Sequence, residues 1–329
     1  MSSTAASSDR LEASGLEEQL EHYRTELTGY CYRMLGSIFE AEDAVQETIL
    51  RAWRALDRFE GRSALRSWLY RIATNVCLDQ LQGRQRRARP MDLTEPKTAD
   101  TALTPPLPEA TWIQPVPDER VVARDADPAE VVVARDSIRL AFIAALQHLP
   151  PRQRAVLILR DVLAWRASEV AALLETSVAS VNSALQRARA TLSAAQMTDA
   201  GPVQPMDDEQ QKLLARYVET FESYDIDSFV SLLHEDAVQQ MPPYELWLRG
   251  PSQVRAWMLG QGIGCKGSRL IPTTANGMPA FGQYRPDGSG GFKPFSLHVV
   301  EISRGKVAGL NFFLDPDRLF PLFGLPPHP

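Results

Sequence analysis

Cysteine is scarce in this sequence. Three occur among 329 residues, Cys31, Cys77 and Cys265. They are far apart and odd in number, which excludes a disulfide framework and a Cys-x-x-Cys zinc site. Long apolar runs are also missing, and none approaches the ~20 residues that cross a bilayer. The first nine residues are rich in Ser and Ala, with no basic stretch and no apolar one, so they do not read as a secretory signal. A cytoplasmic protein with no membrane association is expected. The histidines (His22, His148, His234, His298, His328) do not cluster, and no glycine-rich phosphate loop or nucleophile motif occurs. No metal and no cofactor is expected. Positive charge is in deficit as well: the net charge is −6, which as a total argues against a nucleic-acid partner.

The charge is unevenly spread. Residues 1–50 carry net −7, 51–90 net +7, 91–136 net −6, 137–195 net +4 and 196–329 net −4. Every basic residue in the two positive blocks is Arg, which suits phosphate and base-edge contacts better than Lys. One such block would be an ordinary solvated face. Two blocks, each on a helical pattern, favour nucleic acid.

Length suggests two or three domains at roughly 150 residues each. Leu16, Leu20, Tyr23, Leu27, Tyr30, Cys31, Met34 and Leu35 recur at spacings of three and four, predicting an amphipathic helix. A second helix over 40–56 places Ala44, Val45, Ile49, Ala52, Trp53 and Leu56 on its apolar face, with Trp53 assigned to the core. A third, over 63–89, has Leu65, Leu69, Ile72, Val76 and Leu81 as its buried stripe. Eight prolines between 90 and 128 exclude regular helix and predict an extended acidic linker, within which Trp112 and Ile113 suggest a short docking segment. Helical pattern returns over 129–194. Gly201, Pro202 and Pro205 mark a second linker. Beyond it, helices near 209–223 and 227–233 precede strands at 237–241, 268–274, 278–285, 295–303 and 306–314, the last two flanking an Arg304-Gly305 turn. This third part reads as α+β.

Leu149-Pro150-Pro151-Arg152-Gln153-Arg154 opens a helix, with proline in its first turn. A short helix over 168–174, a break at Glu175-Thr176-Ser177 and a helix over 178–192 follow. On the last, Val178, Val181, Leu185, Ala188 and Leu192 share one face and Ser180, Asn182, Ser183, Gln186, Arg187 and Arg189 the other. This is a helix-turn-helix layout, whose second helix reads base edges in the major groove. Asn and Gln suit adenine, Arg suits guanine or phosphate. An ordinary helical hairpin with a polar outer face is the plainer alternative, and the turn lacks glycine.

The run from Leu149 through Arg189 resembles the promoter −35-binding region four of bacterial sigma factors. Ala41-Glu42-Asp43-Ala44-Val45-Gln46-Glu47-Thr48 with Arg51-Ala52-Trp53 resembles the region-two helix that docks on the RNA polymerase clamp. Phe59-Glu60-Gly61-Arg62-Ser63 and Trp68-Leu69-Tyr70-Arg71-Ile72-Ala73-Thr74-Asn75 resemble the segment that melts and reads the −10 element. The order and the proline-rich spacer are those of the extracytoplasmic-function (ECF) group. Residues 208–325 resemble a SnoaL-like, cone-shaped α+β extension, on Met241-Pro242-Pro243, Trp247-Leu248-Arg249-Gly250 and Asp315-Pro316-Asp317-Arg318-Leu319. Trp112-Ile113-Gln114-Pro115 is similar to the linker motif of such chains. The resemblance implies a flexible terminus (1–15), mostly α region two (16–90), linker (91–128), region four (129–195), linker (196–207) and SnoaL-like domain (208–325).

It further implies site residues. Asp43, Gln46, Glu47 and Arg51 would meet the polymerase, with clamp and flap contacts, although a solvated face with a Glu47–Arg51 pair is the plainer reading. Arg62, Arg66, Trp68, Tyr70, Arg71, Asn75, Arg84, Arg86 and Arg87 would take the −10 DNA, where unstacked bases need aromatic platforms and phosphates need cations; some of those aromatics must instead be core. Ser180, Asn182, Ser183, Gln186, Arg187 and Arg189 would take the −35 DNA. Ala164 stands where the family often has glycine. Trp112, Asp315, Asp317, Arg318 and Leu319 would form a contact through which the C-terminal domain tunes activity in cis.

In the C-terminal part, Tyr217, Phe221, Tyr224, Trp247, Trp257, Phe281 and His298 are candidates to line a pocket, and Asp236, His234 and His298 are the side chains of a type able to act as a base. Three functions remain in view. A promoter-specificity subunit of RNA polymerase, binding core enzyme and promoter DNA and not an enzyme, accounts for most of these features. A ligand-responsive helix-turn-helix regulator leaves Asp43–Glu47 and Trp68–Asn75 without a purpose; co-purification with polymerase separates the two. An isomerase or hydrolase would require turnover by residues 206–329. An anti-sigma partner and a ligand of the pocket are left open by the sequence.

Overall fold

The computed structural model describes residues 20–55, 64–122, 128–194 and 207–329. The expected flexible terminus, Phe59–Ser63 with Arg62, and nearly all of the second linker lie outside them. The chain forms two compact units: one from residues 1–84, 119–131 and 146–195, the other from 85–118, 132–145 and 196–329.

The first unit begins with three mutually packed helices, α1 (Arg24–Leu35), α2 (Ile38–Arg54) and α3 (Leu65–Leu81). Ser37 starts α2, its side chain accepting from the Glu40 N–H at 3.2 Å, which satisfies one donor left open at a helix N-terminus. Ala41, Ala44, Val45, Thr48 and Ala52 form the buried face of α2. Trp53 is a correction: it is 56% exposed. It follows Ala52, which takes the last inward position, so the apolar stripe has rotated past it.

The buried stripe of α3 is Leu69, Tyr70, Ala73, Val76 and Cys77. Leu65, Ile72 and Leu81, expected there, are only half-buried. Tyr70 and Ala73 displace Ile72 because the contact face is turned one position later.

Four short helices come next along the chain, α4 (Asp118–Val121), α5 (Pro128–Asp136), α6 (Leu140–Gln147) and α7 (Pro151–Leu157), of which residues 132–145, in α5 and α6, belong to the second unit. A π-turn over Ile158–Val162 leads to α8 (Ala167–Leu173) and α9 (Val178–Ala194). Arg154 on α7 is buried and fixes this part to α1. Its guanidinium donates to the Gln147 Oε1 at 2.7 Å, the Gln147 and Leu149 carbonyls at 3.2 Å, and the Met34 carbonyl. Burial lowers its pKa to about 10, so it stays cationic at neutral pH.

In the second unit, α10 (Asp208–Glu222), α11 (Ile226–Ser231) and α12 (Pro251–Leu259) accompany strands β1 (Leu233–Gln240), β2 (Trp247–Arg249), β3 (Arg269–Ala275), β4 (Met278–Pro286), β5 (Phe292–Ser303) and β6 (Lys306–Phe313). A final helix, α13, is Pro316–Leu322. The sheet order is β2-β1-β6-β5-β4-β3, with β1 and β6 parallel and the other neighbours antiparallel. Tyr217, Phe221, Phe229, Val254 and Trp257 from the helices meet Leu248, Phe281, Val300 and Leu310 from the sheet in one core. This is the α+β cone of a SnoaL-like domain.

Two tight hairpin turns set the register. Arg304-Gly305 has φ of 51° and 71°, and Asn276-Gly277 has φ of 56° and 70°. Both residues left-handed is the type I′ geometry that matches strand twist. The strand at 247–249 was not anticipated, since three residues give no readable alternation.

The proline-rich segment 85–118 is largely extended, broken by single 3-10 turns at Pro90–Asp92 and Glu109–Thr111, and packs against the cone; the one-turn helix α4 at Asp118–Val121 is a correction to the helix-free stretch expected over 90–128. Lys97 N–H donates to the Trp247 carbonyl at 2.9 Å, the Trp247 indole to the Thr94 carbonyl at 2.8 Å, and Leu107 N–H to the Pro243 carbonyl at 2.9 Å. Trp112, Ile113 and Val116 are all buried.

Candidate polymerase and promoter surfaces, and the C-terminal cavity

On α2, Asp43 and Gln46 are exposed and Glu47 is half-buried. Glu47 Oε1 accepts from Arg51 Nε at 2.7 Å, and Arg51 also lies 3.6 Å from Asp79. Arg51 is thus committed to acids of its own unit. Asp43 and Gln46, with exposed Leu50 and Trp53, form an acidic and apolar outer face of the kind a basic partner can cover.

The residues expected at the −10 element divide. Trp68 and Arg71 are half-buried, and Asn75, Arg84 and Arg86 are exposed. Arg84 pairs with Glu40 at 2.7 Å. Arg66 donates to Glu26 at 2.7 Å and lies over the Trp165 ring, 5.3 Å from its centroid. Two expectations meet burial instead. Tyr70 is 0% exposed: its hydroxyl donates to Glu26 at 2.9 Å, and its ring packs 5.0 Å from both Tyr30 and Trp165. Arg87, expected to clamp a phosphate, is buried and donates to the Trp112 carbonyl at 2.6 Å and the Glu109 carbonyl at 3.0 Å. Its donors tie together the turn at 109–112, where the Glu109 carbonyl also accepts from the Trp112 N–H at 3.0 Å. Arg62 lies outside the described residues.

The face of α9 separates cleanly. Ser180, Asn182, Ser183, Gln186, Arg187 and Arg189 are all exposed, over buried Val181, Leu185 and Ala188. Val178, expected on the inner face, is 43% exposed; it sits in the first turn, beyond the end of the contact. Ser177 caps the helix, accepting from the Ser180 N–H at 3.1 Å. Arg189 is held by Asp161 at 2.6 Å. The absence of glycine before and within the turn is met by strain: Ala164 has φ 55° and Glu175 φ 51°.

In the second unit, Arg318 on α13 pairs with Glu109, one turn of backbone before Trp112. Leu319 is buried, and burial raises the Asp315 carboxyl above its usual range. Glu109 was missed in the sequence; an acid beside a buried Trp in a proline-rich stretch was the available signal. Asn276 was missed too. Its Oδ1 accepts from the Val116 N–H at 3.0 Å and its Nδ2 donates to the Ile138 carbonyl at 2.6 Å. An Asn-Gly pair between two strand-like runs was readable as a turn, but not as a clamp.

A cavity of about 460 Å³ opens in this unit. Of the aromatic and His candidates, Phe221, Trp257 and His298 line it, whereas Tyr217, Tyr224, Trp247 and Phe281 do not. Tyr217 and Phe281 are spent in the core, and Tyr224 is tied by its hydroxyl to the Met258 and Gly262 carbonyls. His234 and Asp236 do not line it; Asp236 is exposed on β1. His298 is buried, with Nε2 3.0 Å from Gln283 Oε1 and Nδ1 2.9 Å from the Tyr217 hydroxyl. Burial first, and the Arg285 charge second, lower its pKa to about 3.

Residues 20–87 match sigma-70 region 2 and residues 139–192 match sigma-70 region 4. The chain is 47% identical over 309 residues to the ECF RNA polymerase sigma factor SigG of Mycobacterium tuberculosis, across 93% of this chain and 82% of that protein. It is an ECF sigma factor. A second relative, the sigma factor SigJ of the same organism, is 28% identical over 91% of this chain and 92% of its own. The crystal structure of SigJ superposes on this sigma factor with a TM-score of 0.59 at 25% identity, covering 94% of this chain and 99% of that one. Among the described residues no helix is long and apolar enough to cross a membrane.

Proposed function

We propose that this sigma factor acts in the cytoplasm, docks on core RNA polymerase through the outer face of α2 and brings it to promoters read by α3 and α9. Asp43, Gln46 and Glu47 meet the polymerase. Arg66, Trp68, Arg71, Asn75, Arg84 and Arg86 serve the −10 element, joined by Arg62. The observation that carries the reading is the α9 face, a row of exposed amides, hydroxyls and guanidiniums backed by a buried apolar stripe. Such a helix enters the major groove, where Asn182 and Gln186 suit adenine and Arg187 suits guanine or phosphate.

In the described arrangement the face of α3 is partly covered. Tyr70 and Arg66 are engaged by Trp165 of the segment leading into α8. Promoter melting then requires Trp165 to leave this face and Arg66 to exchange Glu26 for DNA. The C-terminal domain tunes this output in cis, through the linker contacts Glu109–Arg318 and Val116–Asn276. Its cavity binds rather than catalyses. The lining has no Asp or Glu to serve as base, and both His298 nitrogens are engaged.

Transcription in vitro with core polymerase on a promoter library tests the reading. Asn182→Ala and Gln186→Ala each weaken initiation about tenfold or more at the base they read, from ~1–3 kcal/mol per bidentate contact. Unchanged base preference in both variants contradicts it.

A further inference from the structure

The cavity carries one polar group with an unmet requirement. Gln283 is engaged at both ends: its Oε1 accepts from Ser296 Oγ at 2.6 Å and from His298 Nε2, and its Nε2 donates to Ser268 Oγ at 2.9 Å. With Nε2 of His298 donating, Nδ1 accepts from the Tyr217 hydroxyl, and the imidazole is neutral and closed. Arg285 differs. Its Nη2 reaches only the Cys265 Sγ, at 3.0 Å, and its guanidinium lies 3.2 Å above the Phe295 ring centroid. Its Nε is buried without a hydrogen-bond partner, and no carboxylate lies within ion-pair distance of it among the described residues. This half-buried guanidinium, beside a thiol and an aromatic face at the cavity wall, has no carboxylate paired with it among the described residues, and a cation whose Nε is shut off from water gains from an anion there.

Phe221, Met241, Trp257, Met258 and Phe312 give the same space an apolar wall, with Tyr244 and Gln261 as further polar members. About 460 Å³ falls within the range of small-molecule sites. We propose that the cavity binds a small organic acid in its anionic form, with an aromatic or branched apolar body among these side chains and its acidic group on Arg285. A planar fork of donors pairs with two acid oxygens at once. Leu103 of the linker supplies part of the wall, and Gln261 holds that segment, donating to the Ala99 and Thr101 carbonyls at 2.9 Å. A bound acid therefore packs against the linker itself. The site is independent of the promoter reading.

Fluorescence titration of the full-length chain with two matched probes tests this: anilinonaphthalene sulfonate, and phenylnaphthylamine, which has the same rings without the charge. The expected result is one sulfonate probe per chain, bound at least tenfold tighter than the neutral probe. Arg285→Met abolishes that preference, weakening the sulfonate probe tenfold or more and changing the neutral probe less than twofold. If the Met variant loses its native circular dichroism, Arg285→Gln is read in its place, with the same expectation. Equal binding of the two probes by the wild type, binding of several probes per chain, or a preference that survives loss of Arg285 overturns the proposal.

Discussion

Ala164 and Glu175 are held in left-handed backbone, at φ 55° and 51°, on either side of α8. A side chain there costs ~1–2 kcal/mol. Ala164→Gly is expected to stabilise the first unit by about 1 kcal/mol, raising its melting temperature by about 2–4 °C without altering promoter preference. A lower melting temperature would contradict that. The sequence flagged Ala164 as an unusual choice, and the backbone supplies the physical reason.

His298 predicts a pH dependence. Its folded pKa is depressed to about 3, from an ordinary 6.5, by burial and then by the Arg285 charge. Below pH 6.5 the unfolded chain takes up a proton that the folded chain refuses. Stability is full above 6.5 and is lost as pH falls toward 3, by up to ~1.4 kcal/mol per pH unit. Thermal melts of wild type and His298→Gln between pH 7 and 4 should converge as the pH drops. Parallel curves would show that His298 titrates elsewhere.

At the scale of elements, the helices were readable wherever one face is buried and the other wet. The stripe on α9 and the capped start of α2 are cases of this. Phase errors occurred where two apolar side chains are adjacent, as at Ala52-Trp53, Leu69-Tyr70 and Ile72-Ala73, because periodicity fixes an axis but not its rotation by one residue. Proline density likewise described the conformation of 90–118 but not its partners. Those partners are single groups distant in sequence: Arg318 was expected from the family resemblance, whereas no local pattern announces Asn276 or Trp247 as one.

The Asn276 clamp makes this testable. Asn276→Ala leaves the buried Val116 N–H without an acceptor, at a cost of ~1–3 kcal/mol. Limited proteolysis of the variant should cut within residues 95–117 several-fold faster than in wild type. An unchanged cleavage rate would mean that the linker is held by its other contacts alone.

At the scale of the whole molecule, the net charge of −6 conceals two Arg-only blocks of +7 and +4. Their positions coincide with the residues matched to sigma-70 regions 2 and 4. Part of the first block is diverted. Arg87 is buried in the linker turn, and Arg66 and Arg84 are paired with acids. On α9 Arg189 is likewise paired, with Asp161, while Arg187 is exposed beside it on the same outer face. Binding to non-specific DNA should therefore fall steeply with added salt, and far less steeply in an Arg187→Ala/Arg189→Ala variant. Equal salt slopes for the two proteins would remove α9 from the DNA interface.

The most direct test places the full chain on core RNA polymerase and measures initiation across a library randomised at the −35 element, with wild type and Asn182→Ala/Gln186→Ala/Arg187→Ala compared. The account predicts that the variant still co-purifies with polymerase but loses the wild-type base ranking at −35. An identical ranking in the two proteins would contradict it.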